Sequence, residues 1–416
     1  MELKKYKLGD IGEIRMCKRI LKSQTSTSGD IPFYKIGTFG KEADTFINKD
    51  LFDTYKNLYN FPNKGDILIS AAGTIGRCVV YNGEDSYYQD SNIVWIDNDE
   101  SIILNDYLYY VLDNITWNPS KGSTILRLYN DDIRKKVFYA PDLMCQRVIA
   151  DTLKTIDKKI TLNRQINDNL EAMARQLYDY WFVQFDFPNE EGKPYKSSGG
   201  SMVWNEKLKR EIPQGWNASN VKSLIEPIER GISYSSDDLL DPFTTPMINL
   251  ACFSKAGDYR LGEMKFFSGK VSNDKLISPM DMLIACTDMT QGADIIGRPI
   301  LASDEYDQYT FSTDLALITP KGKLKMYLYY TLRTSFYHKY IRPFASGTTV
   351  KHLNLIGIEN YGLPVPPIEI QSKFEDLITP IKEKQSKNLN EINALTKQRD
   401  ELLPLLMNGQ ASVNSD

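Results

Sequence analysis

The sequence is poor in the residues that most often carry catalysis or bind metals. It has two histidines, His338 and His352, and five cysteines, and no two cysteines form a Cys-x-x-Cys pair. Two histidines argue against a multi-histidine metal site and against histidine-based acid/base catalysis. Scattered cysteines support neither a zinc ribbon nor a disulfide framework. We therefore expect no metal site in this chain.

Long apolar runs are also absent. No stretch approaches the ~18 consecutive apolar residues that a membrane-spanning helix needs. Residues 1–10 are charged and lack the apolar segment of a secretory signal peptide. Together these absences predict a cytoplasmic protein.

The motifs of several enzyme classes are missing as well. The sequence contains no GxxxxGK[ST] phosphate loop and no Gly-x-Ser-x-Gly elbow. Asn118-Pro119 is the nearest match to the Asn/Asp-Pro-Pro-aromatic motif of methyltransferases, but it lacks the second proline and the aromatic residue, so it predicts a turn. A nuclease-like group could be sought at Asp142 and residues 157–159, yet these lie on a predicted long helix, where charged residues normally form a solvated face. We expect no catalytic residues.

The composition is that of an ordinary globular protein, with 42% hydrophobic and 25% charged residues. At about 150 residues per domain, the chain length predicts two or three domains. The net charge is −4, from 50 Lys and Arg against 54 Asp and Glu. Nucleic-acid-binding domains are usually basic. Local patches, however, rather than totals determine the field at a surface, so the overall acidity does not exclude nucleic-acid binding.

What the sequence does contain is a long internal repeat. Pro141 and Gln146 recur as Pro366 and Gln371, both at an offset of 225 positions (366 − 141 and 371 − 146). Residues 122–125 match residues 347–350 at the same offset. Because this period far exceeds that of solenoids and propellers, it predicts two homologous domains, each followed by its own helix. The predicted parts are a first domain, a first helix, a connector, a second domain and a second helix, at residues 1–141, 142–182, 183–211, 212–366 and 367–410.

Both helical segments carry a heptad-like apolar seam, which is typical of a coiled coil. The seam residues are Ile149, Leu153, Ile156, Ile160, Leu170 and Leu177 in the first helix, and Phe374, Ile378, Ile381, Ile392, Leu395 and Leu402 in the second. A helix of 39 residues would be about 58 Å long. We favour an antiparallel pair, because a duplicated unit closes most simply on itself by a pseudo-two-fold. The two domains would then lie at opposite ends of the pair, which would act as a ruler.

Polar residues interrupt both seams, at Asn163 and Asn167 and at Gln385 and Asn388. In an antiparallel pair they can meet and fix the register. The alternative is that they are solvated where the seam is open. Pro380 is expected to bend or restart the second helix, because proline removes an internal hydrogen bond.

Each repeat also carries loops rich in basic, hydroxyl and amide side chains. Arginine reads guanine, glutamine and asparagine read adenine, and hydroxyls reach phosphates or bases. Taken singly, a loop Ser or Thr is more often a turn former, so the prediction depends on recurrence in both halves. The predicted DNA-binding residues of the first domain are Lys18, Arg19, Ser23, Gln24, Thr74, Arg77, Lys121, Ser123, Thr124 and Arg127, with Thr25 beside them. Those of the second are Arg230, Tyr234, Ser235, Thr287, Gln291, Arg298, Ser346, Thr348, Thr349 and Lys351, with Ser236, Arg342 and His352 beside them.

The chain resembles the specificity subunit of a type I restriction–modification system, and the resemblance covers nearly all of it. Residues 6–11 are similar to the start of a target recognition domain, and residues 65–77 to its strand and DNA-facing glycine loop. Residues 212–216 are similar to the entry to the second such domain. Residues 363–371 are similar to the proline-rich step into a conserved helix. The most specific segment is residues 395–410, which resembles the end of the second conserved region.

The resemblance implies an α+β fold with two mixed α/β target recognition domains, joined by two long conserved helices that form an antiparallel coiled coil. It also implies that each domain reads one half of a bipartite double-stranded DNA target and that the helices set the spacer. The implied partners are two modification subunits, which carry the S-adenosylmethionine chemistry, and restriction subunits with nuclease and translocase activity. This chain would bind no cofactor and have no catalytic role.

The sequence departs from the family pattern at two places. Residues 288–298 lack the Gly-Thr-Ile-Gly form of the first glycine loop, which makes Arg298 a less secure match to Arg77. Residues 231–234 differ from residues 18–21. Different recognition residues are expected if the two domains read different half-sites.

Two other functions compete with this interpretation. One is a coiled-coil adaptor without DNA specificity, which should show large apolar patches on its domains. The other is a fused restriction–modification enzyme, against which the missing catalytic motifs argue. The apolar residues after the first seam, Leu177, Tyr178, Tyr180, Trp181 and Phe182, are either a partner interface or part of the adjacent domain.

Overall fold

The computed structural model describes residues 2–117, 126–239, 244–254 and 258–411. The chain divides into two compact units. Unit 1 comprises Met1–Lys158 and Thr396–Asp416, and unit 2 comprises Lys159–Leu395. Each unit therefore contains one of the repeated domains together with part of both long helices.

Unit 1 is built on three small sheets. Its strands are β1 (Lys4–Lys7), β2 (Gly12–Arg15), β3 (Ile31–Tyr34), β4 (Phe46–Ile47), β5 (Ile67–Ser70), β6 (Cys78–Val80), β7 (Tyr87–Tyr88), β8 (Ile93–Asn98) and β9 (Val137–Ala140). Its helices are α1 (Lys49–Leu58), α2 (Asn105–Asn114), α3 (Asn130–Arg134) and the first part of α4 (Leu143–Tyr178). The strand orders are β2-β8-β5-β6, β4-β3-β7 and β1-β9.

Unit 2 repeats this plan and adds to it. Its strands are β10 (Met202–Asn205), β11 (Arg210–Pro213), β12 (Asn217–Asn220), β13 (Glu229–Arg230), β14 (Thr245–Ile248), β15 (Lys265–Phe267), β16 (Met282–Ala285), β17 (Thr287–Asp288), β18 (Pro299–Leu301), β19 (Thr310–Phe311), β20 (Leu315–Ile318), β21 (Ala345–Ser346), β22 (Lys351–Leu353) and β23 (Gly362–Val365). Its helices are the rest of α4, then α5 (Val221–Leu224), α6 (Lys325–Thr331), α7 (Ser335–Ile341), α8 (Ile356–Glu359) and α9 (Ile368–Met407), the last of which continues into unit 1.

The two units share one strand topology, which confirms the duplicated α+β fold. The sheets β13-β20-β16-β18, β15-β14-β19 and β12-β23 of unit 2 correspond in order to the three sheets of unit 1. In both four-stranded sheets the neighbouring strands pair antiparallel. All four residues of β5 and all four of β16 are buried, since these strands are apolar on both faces.

A buried glutamine fixes the step from each domain into its long helix. The Nε2 atom of Gln146 donates to the carbonyl of Pro141 over 2.9 Å, and that of Gln371 donates to the carbonyl of Pro366 over 2.7 Å. Gln146 also accepts from the backbone N–H of Leu104. The repeated Pro-x-x-x-x-Gln pattern is thus explained by one side chain that satisfies backbone groups where a strand turns into a helix.

Replacing Gln146 with alanine should destabilise unit 1 by about 2–3 kcal/mol. The side chain is 0% exposed, and its loss removes hydrogen bonds to the Leu104 N–H and to two carbonyl groups, of which that of Pro141 is buried. Urea unfolding followed by circular dichroism measures the effect. The matched control is the exposed neighbour Arg147→Ala, expected within about 0.5 kcal/mol of wild type. Equal stability of the two variants would contradict the role of Gln146.

The long helices pair antiparallel within unit 2, and three of the four polar seam residues, Asn167, Gln385 and Asn388, meet across the pair. Asn167 and Gln385 exchange side-chain-to-backbone hydrogen bonds of 3.0 and 2.9 Å. The Asn388 side chain, 1% exposed, donates to that of Asn167 over 2.9 Å. One turn further along α4, Glu171 contacts Lys382, which lies one turn back along α9. These reciprocal contacts favour one register over its neighbours.

In unit 1 the ends of the two helices pack into the core of the domain. Leu153 and Leu406 belong to the same buried cluster as the strands of the four-stranded sheet. Asp157 accepts from the hydroxyl of Tyr110 at 2.7 Å and pairs with Arg399 at 3.1 Å. Asp142 caps α4 by accepting from the N–H of Cys145 at 2.9 Å. Both carboxylates considered for a nuclease site therefore have structural partners.

Each predicted seam residue is buried or partly buried, but several pack on a domain rather than on the facing helix alone. Phe374 and Ile378 lie in the core of unit 2 together with Tyr178, Trp181 and Phe182. Burial of those three aromatic residues decides between the two sequence-based alternatives. They belong to the adjacent domain, and the partner-interface interpretation is wrong for them.

The fold tests part of the expectation for Pro380. Helix α9 is continuous from Ile368 to Met407, so the predicted restart at Pro380 is wrong, and a bend there stays a prediction. An internal proline costs about 3 kcal/mol. Pro380 itself is exposed, so burial of the neighbouring Phe374 and Ile378 stabilises the helix against that cost.

Part of the predicted connector, residues 183–211, contributes to the core of unit 2. It packs Phe185 and Phe187 against Trp216 in the core, with ring centroids 5.5 and 5.3 Å away.

Candidate nucleic-acid interface

Unit 1 has a cation-lined cleft, here called cleft 1, with a volume of about 650 Å³. Its cations are Arg19, Lys22, Lys35 and Arg127, and Asp90 is the carboxylate in its lining. The remaining polar walls are hydroxyl and amide side chains from residues 25–27 and 89–92. A concave cationic surface with such side chains can neutralise phosphates and still hydrogen-bond to bases.

Arg19 and Arg127 reach cleft 1 from distant parts of the sequence and both contact the loop that precedes β8. The Nε atom of Arg19 lies 2.8 Å from Oδ2 of Asp90. The Nη2 atom of Arg127 donates to the carbonyl of Ser91 over 2.7 Å. The structure thus brings together two of the arginines that the sequence predicts as DNA contacts.

Other predicted residues of unit 1 that the structure describes are not part of the lining of cleft 1. Lys18 is exposed, with its Nζ 5.0 Å from the ring centroid of Tyr59. Ser23 and Thr74 are exposed, whereas the amide oxygen of Gln24 accepts from a backbone N–H at 2.8 Å. Lys121, Ser123 and Thr124 lie outside the described residues, as does Asn118-Pro119.

Arg77 and Arg298 occupy the same backbone position in the two repeats. Each directly follows a glycine of positive φ, 82° at Gly76 and 70° at Gly297. The carbonyl of each arginine accepts from the last residue of the central strand, Ser70 or Ala285, over 2.9 and 3.1 Å. The structure therefore secures a match that the sequence leaves insecure. A side chain at Gly76 would place its Cβ 2.2 Å from the ring of Trp117, so glycine is needed there.

Unit 2 has a second cleft, here called cleft 2, with a volume of about 630 Å³. Four cations line it, Arg298, Lys339, Arg342 and Lys351, with His338 beside them, and within the part of the chain that the structure describes no carboxylate does. β17 pairs with β22, and β22 with β21. This pairing brings the turn at residues 346–351 beside the loop at residues 288–298.

Neighbouring cations shape the electrostatics of cleft 2. Burial, followed by the charge of Arg333, lowers the pKa of Arg298, whose Nε donates to the carbonyl of Asp294 over 2.8 Å. Burial, followed by the charge of Arg298, lowers the pKa of His338 from its usual 6.5, so the ring is neutral at pH 7. An anion in the cleft would relieve this mutual repulsion.

The remaining predicted residues of unit 2 fall into three groups. Gln291 is exposed and lines cleft 2, and Ser346, Thr348 and Thr349 are exposed in the turn that precedes Lys351. Tyr234 and Ser235 have local partners, Lys265 at 3.3 Å and Asp238 at 2.9 Å, and Arg230 donates to the carbonyl of Thr313. Thr287 is 2% exposed and its hydroxyl donates to Asp314 over 2.9 Å. Thr287 is therefore left out of the interface, because its side chain lies in the core.

Sequence reasoning missed several residues of the clefts, and the charged ones among them are Lys22, Lys35, Asp90 and Lys339. The first three line cleft 1, and Lys339 lines cleft 2. Lys22 lies between the predicted residues Arg19 and Ser23 in the sequence, so it could have been predicted from its position. No sequence feature indicated Asp90, because a lone aspartate after a strand is usually a turn residue.

Among residues 2–117, 126–239, 244–254 and 258–411, no three His, Cys, Asp or Glu side chains are placed to hold a metal ion. Burial raises the pKa of both Cys17 and Cys286 to about 12, which keeps these thiols protonated at neutral pH. Across the same ranges, the helices include none with the length and apolar character of a membrane span.

Comparison with known proteins gives a consistent result. A family model described as "Type I restriction modification DNA specificity domain" matches residues 1–172 and 213–397. The chain is 53% identical over 181 residues to a putative type I restriction enzyme specificity subunit of Haemophilus influenzae. That alignment covers 43% of this chain and 46% of the relative, so the chain spans less than half of that protein.

A second relative and one solved structure cover more of the chain. The MjaIX specificity subunit of Methanocaldococcus jannaschii is 27% identical over 369 residues, which are 85% of this chain and 79% of that protein. The crystal structure of a type I restriction–modification S subunit from M. genitalium has a TM-score of 0.63 at 15% identity, covering 98% of this chain and 96% of that one. This structural likeness concerns the fold alone.

Proposed function

The chain belongs to the type I restriction modification DNA specificity family, whose members are non-catalytic specificity subunits, and we propose that it reads a bipartite DNA target with one half-site bound by each unit. The observation that carries the proposal is the pair of cationic clefts, one on each copy of the duplicated domain. Two similar readers on one chain suit a target of two specific halves with an unread spacer between them.

The clefts resolve the difficulty posed by the overall charge. The chain has a net charge of −4, yet cleft 2 is lined by four cations and no carboxylate among the described residues. Phosphate contacts supply most of the affinity of such proteins, and they depend on local cations rather than on net charge. Hydroxyl and amide groups at the rims are then available for base contacts.

The partners follow from the same proposal. Two modification subunits would dock on this chain and hold the S-adenosylmethionine, and restriction subunits with translocase activity would join them. The paired helices would set the spacer between the half-sites, and the complex would act on DNA in the cytoplasm. A protein adaptor without DNA specificity is not favoured, because family membership and the cationic clefts both point to DNA.

The experiment is genome-wide adenine methylation sequencing in a host that expresses this chain with its modification subunit. We expect a new bipartite methylated motif. Exchange of residues 1–141 for those of a related specificity subunit should change one half of the motif and leave the other half unchanged. A stable complex that produces no motif would contradict the proposed function. An exchange that alters both halves would contradict the assignment of one half-site per unit.

A further inference from the structure

Arg19 in cleft 1 is held at one nitrogen and open at the other two. Its Nε contacts Asp90 Oδ2 at 2.8 Å, and among the described residues its Nη1 and Nη2 have no hydrogen-bond partner. The Arg19 side chain is 69% exposed, whereas that of Asp90 is 16% exposed. The carboxylate is therefore the fixed member of the pair, and the guanidinium tip extends into the cleft.

The loop that carries Asp90 is itself well anchored. The N–H of Gln89 donates to the carbonyl of Tyr34 over 2.9 Å. Ser91 has a φ of 57°, a backbone conformation that residues other than glycine rarely adopt. Its carbonyl accepts a hydrogen bond from Arg127. A carboxylate on so constrained a loop can orient an arginine at little further entropic cost.

We propose that Arg19 reads a guanine of the first half-site and that Asp90 is its positioning residue, an inference that rests on the proposed function. The two free terminal nitrogens of an arginine match O6 and N7 of guanine, which is the commonest specific contact in the major groove. Because Asp90 holds the Nε, the two terminal nitrogens Nη1 and Nη2 of Arg19 face outward into the cleft. Each good bidentate contact of this kind discriminates by about 5- to 150-fold against the wrong base.

The second unit retains the loop but lacks the pair. Thr313 lies two residues before β20, as Ser91 lies two residues before β8, and an arginine side chain, from Arg230 or Arg127, binds each carbonyl. The residue that precedes Thr313 is Ser312, which is fully buried. The Arg19–Asp90 pair therefore acts on the first half-site alone. Loss of this pair should leave the base preferences in the second half-site unchanged.

The alternative is that Arg19 and Asp90 form an ordinary exposed ion pair with no role in reading bases. Such pairs contribute little to stability, and an arginine at the rim of a cleft could contact only phosphate. A phosphate contact weakens binding to all sequences about equally, whereas a base contact changes the preference at one position. This difference gives the test.

The experiment uses the complex of the full chain with its modification subunit, and duplexes carrying each single base substitution in the methylated motif. Wild type should prefer G·C at one position of the first half-site. In Arg19→Ala the ratio of affinities for G·C and for the other base pairs at that position should fall at least fivefold, to about one. The preferences in the second half-site should persist. Asp90→Asn and Asp90→Ala should each reduce that ratio about threefold or more, with the carboxamide variant closer to wild type. The control Lys22→Ala should weaken binding to all duplexes alike.

The outcomes separate the inference from the proposed function. Uniform weakening by Arg19→Ala, or a first half-site without a G·C-dependent position, overturns the inference alone. Unchanged discrimination in both Asp90 variants, with unfolding temperatures equal to wild type, overturns the positioning role. A wild-type complex that shows no sequence preference overturns the proposed function and this inference together.

Discussion

Replacement of Glu171 by alanine is expected to destabilise unit 2 by about 3–5 kcal/mol at pH 7. Glu171 lies 2.5 Å from the Nζ of Lys382, which is 7% exposed and also faces the ring of Tyr329 at 4.8 Å. It lies 3.7 Å from Arg333 as well. Without the carboxylate, the ammonium of Lys382 is left buried with no counter-charge from α4. Hydrogen exchange of α9 peptides measures the loss within unit 2.

Two comparisons make this expectation specific to the charge. Burial raises the pKa of Glu171, but Lys382 and Arg333 outweigh it and hold the pKa below its usual 4.5. The carboxylate therefore stabilises unit 2 above that value, and its contribution is lost as the pH falls through the lowered pKa. The cost of Glu171→Ala should shrink in acid. The double variant Glu171→Leu with Lys382→Met should lose little stability. A cost below about 1 kcal/mol for Glu171→Ala at pH 7 would contradict the expectation.

The duplicated architecture could be predicted from sequence because identical residues recur at a constant offset and apolar residues recur with the period of a helix. The recurrence of Pro141 and Gln146 at a constant offset reflects one hydrogen bond that both domains need. The seam residues repeat with the helical period, so burial of Leu153 and Ile378 follows from spacing alone. Even the meeting of Asn167 with Asn388 follows from an antiparallel register.

The clefts could be predicted only in part, because each is assembled from segments that are far apart in the chain. Recurrence in both repeats pointed to Arg127 and Lys351, but nothing local indicated that Asp90 faces Arg19. Exposure is also a tertiary property. Thr287 has the same local pattern as a surface hydroxyl, yet its side chain is 2% exposed and donates to Asp314.

The second large effect is expected in cleft 2. Exchange of Arg342 and Lys351 for glutamate should weaken binding to the complete target by about 100-fold or more, since like charges then face the phosphates. Both residues line a cleft whose other cations, Arg298 and Lys339, remain in place. Fluorescence anisotropy with the assembled complex measures the affinity. The control is Lys207→Glu with Lys270→Glu, two exposed lysines of unit 2 outside the cleft lining, which make the same change in net charge.

Salt dependence separates a phosphate contact from a general loss of folding. Each phosphate contact adds roughly 0.9 to the slope of log affinity against log salt concentration, so Arg342→Ala and Lys351→Ala should each lower the slope by about 1. The change should persist on DNA that keeps only the second half-site and vanish on DNA that keeps only the first. An equal loss on both DNAs would mean that cleft 2 supports the complex rather than the DNA. An unchanged slope would mean that these cations face solvent, and the interface of unit 2 would then have to lie on another face of the domain.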